Sequence, residues 1–298
     1  MRYSVIIPVY NRPDEVDELL QSLTQQSFKD FEVIVVEDGS SIPCKPVTEK
    51  YQELLDVHYY DKPNSGPGQT RNYGVERSKG EYLIILDSDC ILPEGYFLAV
   101  EEELQHEAAD AFGGPDRAHE SFTNIQKAIN YSMTSFFTTG GIRGGKKKMD
   151  KFYPRSFNMG VRQEVYQALG GFSRMRFGED IDFSIRIFKG GYTCRLFPGA
   201  WVYHKRRTDF RKFFKQVHNS GIARINLYKK YPESLKLVHL LPAAFTLGVA
   251  IFLLGTPFCP YSLLPIALYA LLVCMDSTIR NRSLSIGPVS YTHLRAHE

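Results

Sequence analysis

Three acidic clusters in this 298-residue chain are candidates for chemistry: two follow apolar stretches and one lies at the start of a predicted helix. In chain order the clusters are Glu37-Asp38, Asp87-Ser88-Asp89 and Glu179-Asp180. A hard cation such as Mg²⁺ can join carboxylate oxygens to phosphate oxygens that would otherwise repel them, and a carboxylate can also act as a general base. In Asp-x-Asp at a strand end both carboxylates lie on one face and can share one ion. Taken alone, such a triplet more often forms an exposed turn.

The elements that must position these acids begin with three apolar runs, which predict strands at Ser4–Val9, Phe31–Val36 and Glu81–Leu86. Their hydrophobicity is continuous rather than alternating, and segments of helical period separate them. This pattern predicts an α/β fold with a mostly parallel sheet and helices on both faces. Ligands of such sheets bind at the carboxyl ends of the strands, so the residues directly after each strand are the candidates for chemistry.

Helices are predicted between and after these strands. One follows Pro13, with Asp14 and Glu15 in its first turn, which is typical of a helix start. Another runs from Glu179 to Lys189 and is predicted to end at Gly190-Gly191. The remaining helix predictions are Gln69–Ser78, Tyr96–His106 and Asn124–Phe137. The segment GGIRGGKKKMDK (140–151) is predicted to be a mobile basic loop.

A long apolar segment follows the α/β part: Leu237–Met275 contains no Lys, Arg, Asp or Glu. Gly255, Pro257 and Pro260 divide it into two spans of about 18 residues, near the lower limit for crossing a bilayer. Basic residues on both sides favour a transmembrane hairpin with both ends in the cytoplasm. A buried helical hairpin or a re-entrant pair is the alternative. The predicted boundaries are a catalytic domain at 1–236, the hairpin at 237–279 and a tail at 280–298.

The bulk composition excludes several classes of protein. Hydrophobic residues make up 43% and the net charge is +3, which is ordinary for a globular chain. Five scattered cysteines without a Cys-x-x-Cys pair indicate neither a disulfide framework nor a zinc site, and favour a reducing compartment. The N-terminus has no signal-peptide pattern. The last nine residues, SYTHLRAHE, resemble a translated sequencing adapter, so the natural protein is expected to continue differently beyond about Pro288.

Five motifs in order resemble the family 2 glycosyltransferases of GT-A fold, over roughly residues 1–230. They are Pro8-Val9-Tyr10-Asn11-Arg12, Val35-Val36-Glu37-Asp38-Gly39-Ser40-Ser41, Asn64-x-Gly66-x-x-x-x-Arg71-Asn72-x-Gly74, Leu86-Asp87-Ser88-Asp89 and Gly178-Glu179-Asp180. Each motif is modest, but their order and spacing together are specific.

The resemblance implies a role for each matching residue. Asp180 would be the general base, with Glu179 orienting or assisting it, although acids also simply stabilise a helix N-terminus. Asp89 and His204 would bind a divalent cation, Mg²⁺ or Mn²⁺; a lone histidine is otherwise structural. Asp38 would bind the base, and Gly66 and Gly74 would permit close backbone approach. The residues expected to contact the nucleotide-sugar are Pro8, Tyr10, Arg12, Glu37, Asp38, Gly66, Arg71, Asp87, Ser88 and Arg207.

The reaction implied is inverting transfer of a sugar from a UDP- or GDP-sugar to a lipid-linked or glycan acceptor in cell-surface polysaccharide assembly. A bare polyprenyl phosphate is the alternative acceptor. No Gln-x-x-Arg-Trp is present, which departs from processive synthases and favours one transfer per encounter. The apolar hairpin places the catalytic domain on the cytoplasmic face of the inner membrane, with the basic stretch 205–236 attracted to anionic lipid.

Rival functions fit less well. No Gly-x-Gly-x-x-Gly follows the first strand and there is no Walker loop, which disfavours a Rossmann dehydrogenase or a P-loop enzyme. A nucleotidyltransferase would not explain Glu179-Asp180 and the hairpin. A non-catalytic, membrane-tethered sugar-nucleotide-binding protein is disfavoured because every expected carboxylate is present. Nucleic-acid binding is disfavoured because the basic stretch carries no recognisable motif.

Overall fold

The computed structural model describes residues 1–117, 123–139, 152–205 and 209–281. Its strands are β1 (Tyr3–Val9), β2 (Phe31–Asp38), β3 (Val57–Lys62), β4 (Tyr82–Leu86), β5 (Cys90–Ile91), β6 (Ala111–Gly113), β7 (Asp116–Arg117), β8 (Asn158–Arg162), β9 (Cys194–Leu196) and β10 (Val202–His204). Its helices are α1 (Pro13–Thr24), α2 (Lys45–Glu49), α3 (Pro67–Val75), α4 (Tyr96–His106), α5 (Asn124–Thr134), α6 (Phe136–Thr139), α7 (Gln163–Ala168), α8 (Glu179–Lys189), α9 (Phe210–Lys230), α10 (Leu241–Leu254) and α11 (Leu264–Asn281). Arg207, the predicted basic loop and the adapter-like tail lie outside the described residues.

The described strands form a seven-stranded sheet in the order β3-β2-β1-β4-β8-β6-β9 and a three-stranded sheet in the order β5-β10-β7. In the larger sheet β8 is antiparallel to both of its neighbours, and the other pairs are parallel. The predicted mostly parallel sheet is therefore confirmed. Because β1, β2, β3 and β4 run in the same direction, their carboxyl ends meet at one edge.

Both faces of the larger sheet are buried, since alternate residues of each strand point to opposite sides. Along β1, Val5 and Ile7 belong to one apolar cluster and Ile6 to the other. The first cluster includes Leu20 of α1 and Phe97 of α4. This two-sided burial explains why the strands are continuously apolar.

Most predicted elements are found with small changes at their ends. The helices Tyr96–His106 and Glu179–Lys189 have the predicted bounds, and Gly190 is the C-cap of α8. Strand β2 continues two residues further than predicted, so that Glu37 and Asp38 are its last two residues. The predicted helix Asn124–Phe137 is broken at Ser135 into α5 and α6. Strand β3 was not predicted, because its sequence VHYYDK is only partly apolar.

Two compact units divide the chain: residues 1–119 with 149–204, and residues 120–148 with 205–298. In the second unit the Tyr131 hydroxyl of α5 donates to Oδ2 of Asp276 in α11 over 2.6 Å.

The segment Tyr261–Asn281 is long and apolar enough to cross a membrane by length and composition. Helix α10, with 14 residues, is shorter, and a single 3₁₀ turn at Leu237–Leu240 precedes it. The described residues thus contain one apolar helix of spanning length and one shorter apolar helix, and the transmembrane hairpin stays a prediction.

Candidate active site

Arg71 joins two of the three acidic clusters. Its Nη2 lies 2.7 Å from Oδ1 of Asp87 and its Nη1 lies 3.0 Å from Oε1 of Glu179. The arginine is buried, with 3% of its surface exposed. Burial acts to lower the pKa of Arg71, but the charges of Asp87 and Glu179 outweigh it and raise the pKa, so the guanidinium stays charged. Residues after β4 and at the start of α8 thus belong to one site.

Helix α3 can hold Arg71 there because of two glycines with different roles. Gly66, at the N-cap of α3, has φ +87°, a conformation that side chains rarely adopt. A Cβ at Gly66 would meet no protein atom within 4 Å, so the backbone angle is the reason for glycine here. Close approach of the nucleotide-sugar to this backbone stays a prediction. A Cβ at Gly74 would lie 2.8 Å from Cγ2 of Ile6. At Gly74 the helix therefore rests directly on β1.

Asp180 is buried in the first turn of α8 and is paired with a cation. Nε of Arg155 lies 2.6 Å from its Oδ2, and the backbone N–H of Ile181 donates to its Oδ1 over 2.8 Å. Burial acts to raise the pKa of Asp180, but the charge and hydrogen bond of Arg155 outweigh it and the pKa is lowered. Burial raises the pKa of the neighbouring Glu179, with Arg71 opposing. Of the two acids, Asp180 is the one more readily ionised.

Asp89 and His204 meet where β5 pairs with β10, which places His204 opposite Cys90. Nε2 of His204 lies 3.1 Å from Oδ1 of Asp89, and the Phe157 ring stacks on the imidazole with centroids 4.8 Å apart. The Cys90 thiol is also close enough to ligate, but it donates to the Phe157 carbonyl over 3.3 Å and burial raises its pKa. The donor set of one carboxylate and one imidazole fits a divalent cation.

Asp38 and Glu37 at the end of β2 point into different surroundings. Oδ1 of Asp38 accepts from Lys62 over 2.5 Å and from the backbone of Ser65 over 2.9 Å, and Oδ2 accepts from the Gly66 backbone over 2.9 Å. Glu37 is 2% exposed and accepts from the Cys44 backbone over 2.7 Å. The carboxylate of Glu37 therefore supports the loop after β2, whereas Asp38 supports the loop that leads into α3.

The motif after β1 lies on the same edge of the sheet. Asn11 has φ +54°, and its Oδ1 accepts from the backbone of Ser41 over 2.8 Å and of Ile42 over 3.0 Å. This contact joins the loop after β1 to the loop after β2. The side chain of Tyr10, next to Asn11, is 54% exposed. Arg12 pairs with Glu15. Pro8 is half-buried opposite Val36, and Ser88 is half-buried in the turn between Asp87 and Asp89.

A model described as glycosyl transferase family 2 matches residues 4–170, more than half of the chain. The chain belongs to glycosyltransferase family 2.

Relatives of this chain differ in length. A glycosyltransferase of Haemophilus influenzae is 30% identical over 193 residues, which cover 62% of each chain. One of Rickettsia felis is 32% identical over 143 residues, or 47% of this chain and 23% of the relative. The chain thus spans less than two thirds of the length of these relatives.

Solved structures show the GT-A fold for this family 2 glycosyltransferase. The mannosyltransferase PcManGT of Pyrobaculum calidifontis, in complex with GDP-Man and Mn²⁺, has a TM-score of 0.59 at 17% identity, covering 99% of this chain and 85% of that one. Residues 1–349 of Staphylococcus aureus TarS, in complex with UDP-GlcNAc, have a TM-score of 0.54 at 18% identity, covering 99% and 92%.

The sequence patterns assigned no role to three residues that hold the site together, although Asn11 stands within the first motif. These are Arg155, which pairs with Asp180; Lys62, which pairs with Asp38; and Asn11, which joins two loops. A helix-start Asp and a strand-end Asp are visible in sequence, but their cationic partners are distant and follow no spacing rule. The general rule that buried carboxylates require partners predicts a cationic residue near each of these acids. It does not identify which Lys or Arg that residue is.

Proposed function

We propose that this glycosyltransferase moves one sugar per encounter from a UDP- or GDP-sugar to a lipid-linked or glycan acceptor, with inversion, in cell-surface polysaccharide assembly. The observation that carries the proposal is the contact of Arg71 with both Asp87 and Glu179. It brings the strand-end acids and the helix-start acids to one place. A donor bound beside Asp87 would therefore lie near Asp180.

The donor side is formed by residues at the carboxyl ends of β1, β2 and β4. Tyr10 is exposed and suited to stack on a nucleobase, and Arg71 and Asp87 lie where a diphosphate and sugar hydroxyls would bind. Asp38 would accept from the base imide with its remaining lone pairs, because a carboxylate offers about four acceptor sites. The complexes of TarS with UDP-GlcNAc and of PcManGT with GDP-Man support a nucleotide-sugar donor.

Asp89 and His204 would hold the divalent cation. When bound, such an ion neutralises charge on the departing diphosphate as a Lewis acid. The mixed carboxylate and imidazole set favours Mn²⁺ over Mg²⁺, which takes oxygen ligands almost exclusively. The Mn²⁺ in the PcManGT complex supports the same choice.

Asp180 would act on the acceptor. The acceptor oxygen forms its bond to the anomeric carbon while the bond to the diphosphate breaks, and Asp180 takes the hydroxyl proton. Attack on the face opposite the leaving group inverts the anomeric configuration. The lowered pKa of Asp180 keeps this carboxylate ionised at neutral pH, and the hydrogen bond from Arg155 fixes its orientation.

The membrane part would place the reaction at the cytoplasmic face of the inner membrane. Tyr261–Asn281 is the span that supports this, with Leu237–Leu254 as the shorter first arm of the hairpin. An acceptor carried on a membrane lipid is consistent with such an anchor. The preferred acceptor is a lipid-linked oligosaccharide, and a bare polyprenyl phosphate is the alternative.

A screen of labelled nucleotide-sugars tests the proposal. The purified protein is incubated with membrane lipid extract, with and without chelator, and the labelled product is identified. We expect Asp180→Asn to lower transfer by about 10²–10⁴-fold while donor affinity is unchanged. Unchanged turnover of this variant would show that Asp180 is not the general base. Label in a polyprenyl monophosphate sugar would instead establish the alternative acceptor.

A further inference from the structure

Helix α9 (Phe210–Lys230) carries six positive charges and no acidic residue. The cations are Arg211, Lys212, Lys215, Arg224, Lys229 and Lys230. Asp209, at the N-cap, accepts from the Lys212 backbone over 2.8 Å and starts the helix. A surface helix of a soluble protein normally intersperses both signs of charge, so this one is suited to an anionic partner.

Two apolar stripes run along α9, and folding buries one of them. Phe213 is 2% exposed and Leu227 is fully buried, which accounts for the first stripe. On another side Phe214 is 49%, Ile225 is 53% and Tyr228 is 43% exposed. Ile225 is eleven residues after Phe214, about three helical turns, and Tyr228 is three residues further, so these three side chains share one face.

We propose that α9 lies in the plane of an anionic membrane, with Phe214, Ile225 and Tyr228 at the boundary between headgroups and acyl chains. Arg211 and Lys229 lie about 60° from the axis of this stripe at 100° per residue. Their long side chains can therefore reach headgroup phosphates while their aliphatic parts cover apolar surface. This combination of a basic face and exposed aromatic and aliphatic residues is typical of interfacial helices.

The position of α9 in the chain favours lipid over a protein partner. Only residues 231–236 separate it from the apolar segment that contains α10 and α11. A helix so close to a membrane-entering segment is within reach of the lipid surface. The inference rests on the membrane association proposed above and adds the orientation of α9 and the depth of its apolar residues in the bilayer.

The test measures the depth of single tryptophans in the full chain. Trp201 is the only native tryptophan, so a Trp201→Phe background is used and Ile225→Trp is compared with Ser220→Trp. Ser220 is also exposed on α9 but lies about 140° away around the helix. The proteins are reconstituted in vesicles of phosphatidylglycerol and phosphatidylcholine, with and without bromine on the acyl chains. We expect bromolipid to quench the tryptophan at 225 and its emission to shift to the blue, with neither effect at 220.

Several results would overturn the inference. Equal quenching of the tryptophans at 225 and 220 would contradict the proposed in-plane orientation of α9. Quenching at 225 that is equally strong in vesicles of pure phosphatidylcholine would contradict the requirement for anionic lipid. If the protein does not float with vesicles at all, the proposed membrane association is wrong, and the proposed membrane contact of α9 is wrong as well. Should Ile225→Trp fail to fold by circular dichroism, Tyr228→Trp on the same face replaces it.

Discussion

Nε of Arg155 lies 2.6 Å from Oδ2 of Asp180, so the carboxylate proposed as the general base is paired with a cation before any acceptor arrives. The arginine side chain is 40% exposed, whereas the aspartate side chain is 9% exposed. A second pair, between Arg71 and Glu179, lies next to it along α8. These two arginines balance adjacent acids that would otherwise repel each other and the incoming diphosphate.

Arg155→Gln is expected to move the acidic limb of the pH profile of kcat/KM to higher pH by roughly one unit. Arg155 lowers the pKa of Asp180, so its removal lets that pKa rise, and the base is ionised only at higher pH. Glu179, Arg71 and Asp87 remain and act on the profile equally in both proteins. Arg155→Lys, which keeps the charge, should shift the limb less. A pH profile identical to that of the parent protein would show that Arg155 does not lower the pKa of the general base.

Arg71→Met is expected to lower the free energy of unfolding by about 3 kcal/mol, because it leaves buried acids without their partner. Urea unfolding of the variant measures this. In the double variant Arg71→Met/Glu179→Gln one unpaired charge is also removed, so part of the stability should return. If the two changes were additive, the pair would not be coupled. Both variants should lose transfer activity.

His204→Ala is expected to raise the Mn²⁺ concentration needed for half-maximal activity by at least about tenfold. The measurement is the initial rate as a function of MnCl₂ after chelation. Cys90→Ala is the matched control, because the thiol lies in the same cluster but is already bonded to the Phe157 carbonyl. A larger effect of Cys90→Ala than of His204→Ala would show that His204 is wrongly assigned as a metal ligand.

Lys62→Met is expected to lower the free energy of unfolding by about 1–3 kcal/mol at neutral pH. Burial acts to raise the pKa of Asp38, but the hydrogen bonds from Lys62 and Ser65 lower it. The stabilisation is therefore complete above the unfolded pKa of about 3.9 and is lost as pH falls through the folded value. Parent and variant should converge in acid. Lys50→Met, at an exposed pair with Asp17, should change stability by less than about 1 kcal/mol.

Gly74→Ala is expected to destabilise the protein by about 1–3 kcal/mol, because its Cβ would lie 2.8 Å from Cγ2 of Ile6 and force α3 away from β1. Activity should fall as well, since α3 carries Arg71. Gly95→Ala is the control: a Cβ there meets nothing within 4 Å, so stability should stay within about 0.5 kcal/mol. Thermal unfolding of both variants decides whether the close approach matters.

The sequence by itself determined the elements and the edge at which chemistry would lie. Strands such as Tyr82–Leu86 and the helix Glu179–Lys189 are specified by local apolar periodicity, and their end residues follow from the same pattern. The acids at the end of β2, after β4 and at the start of α8 could be named for that reason. The family resemblance supplied their expected roles.

Only the tertiary structure decided which charges pair and which side chains are enclosed. Arg71 and Glu179 are 108 positions apart, and Arg155 and Asp180 are 25 apart, so no local period relates them. Glu37 and Asp38 are adjacent in sequence, yet one carboxylate supports the loop after β2 and the other the loop before α3, because neighbouring strand residues point to opposite faces. Packing of distant segments sets these partners, and local patterning carries no information about them.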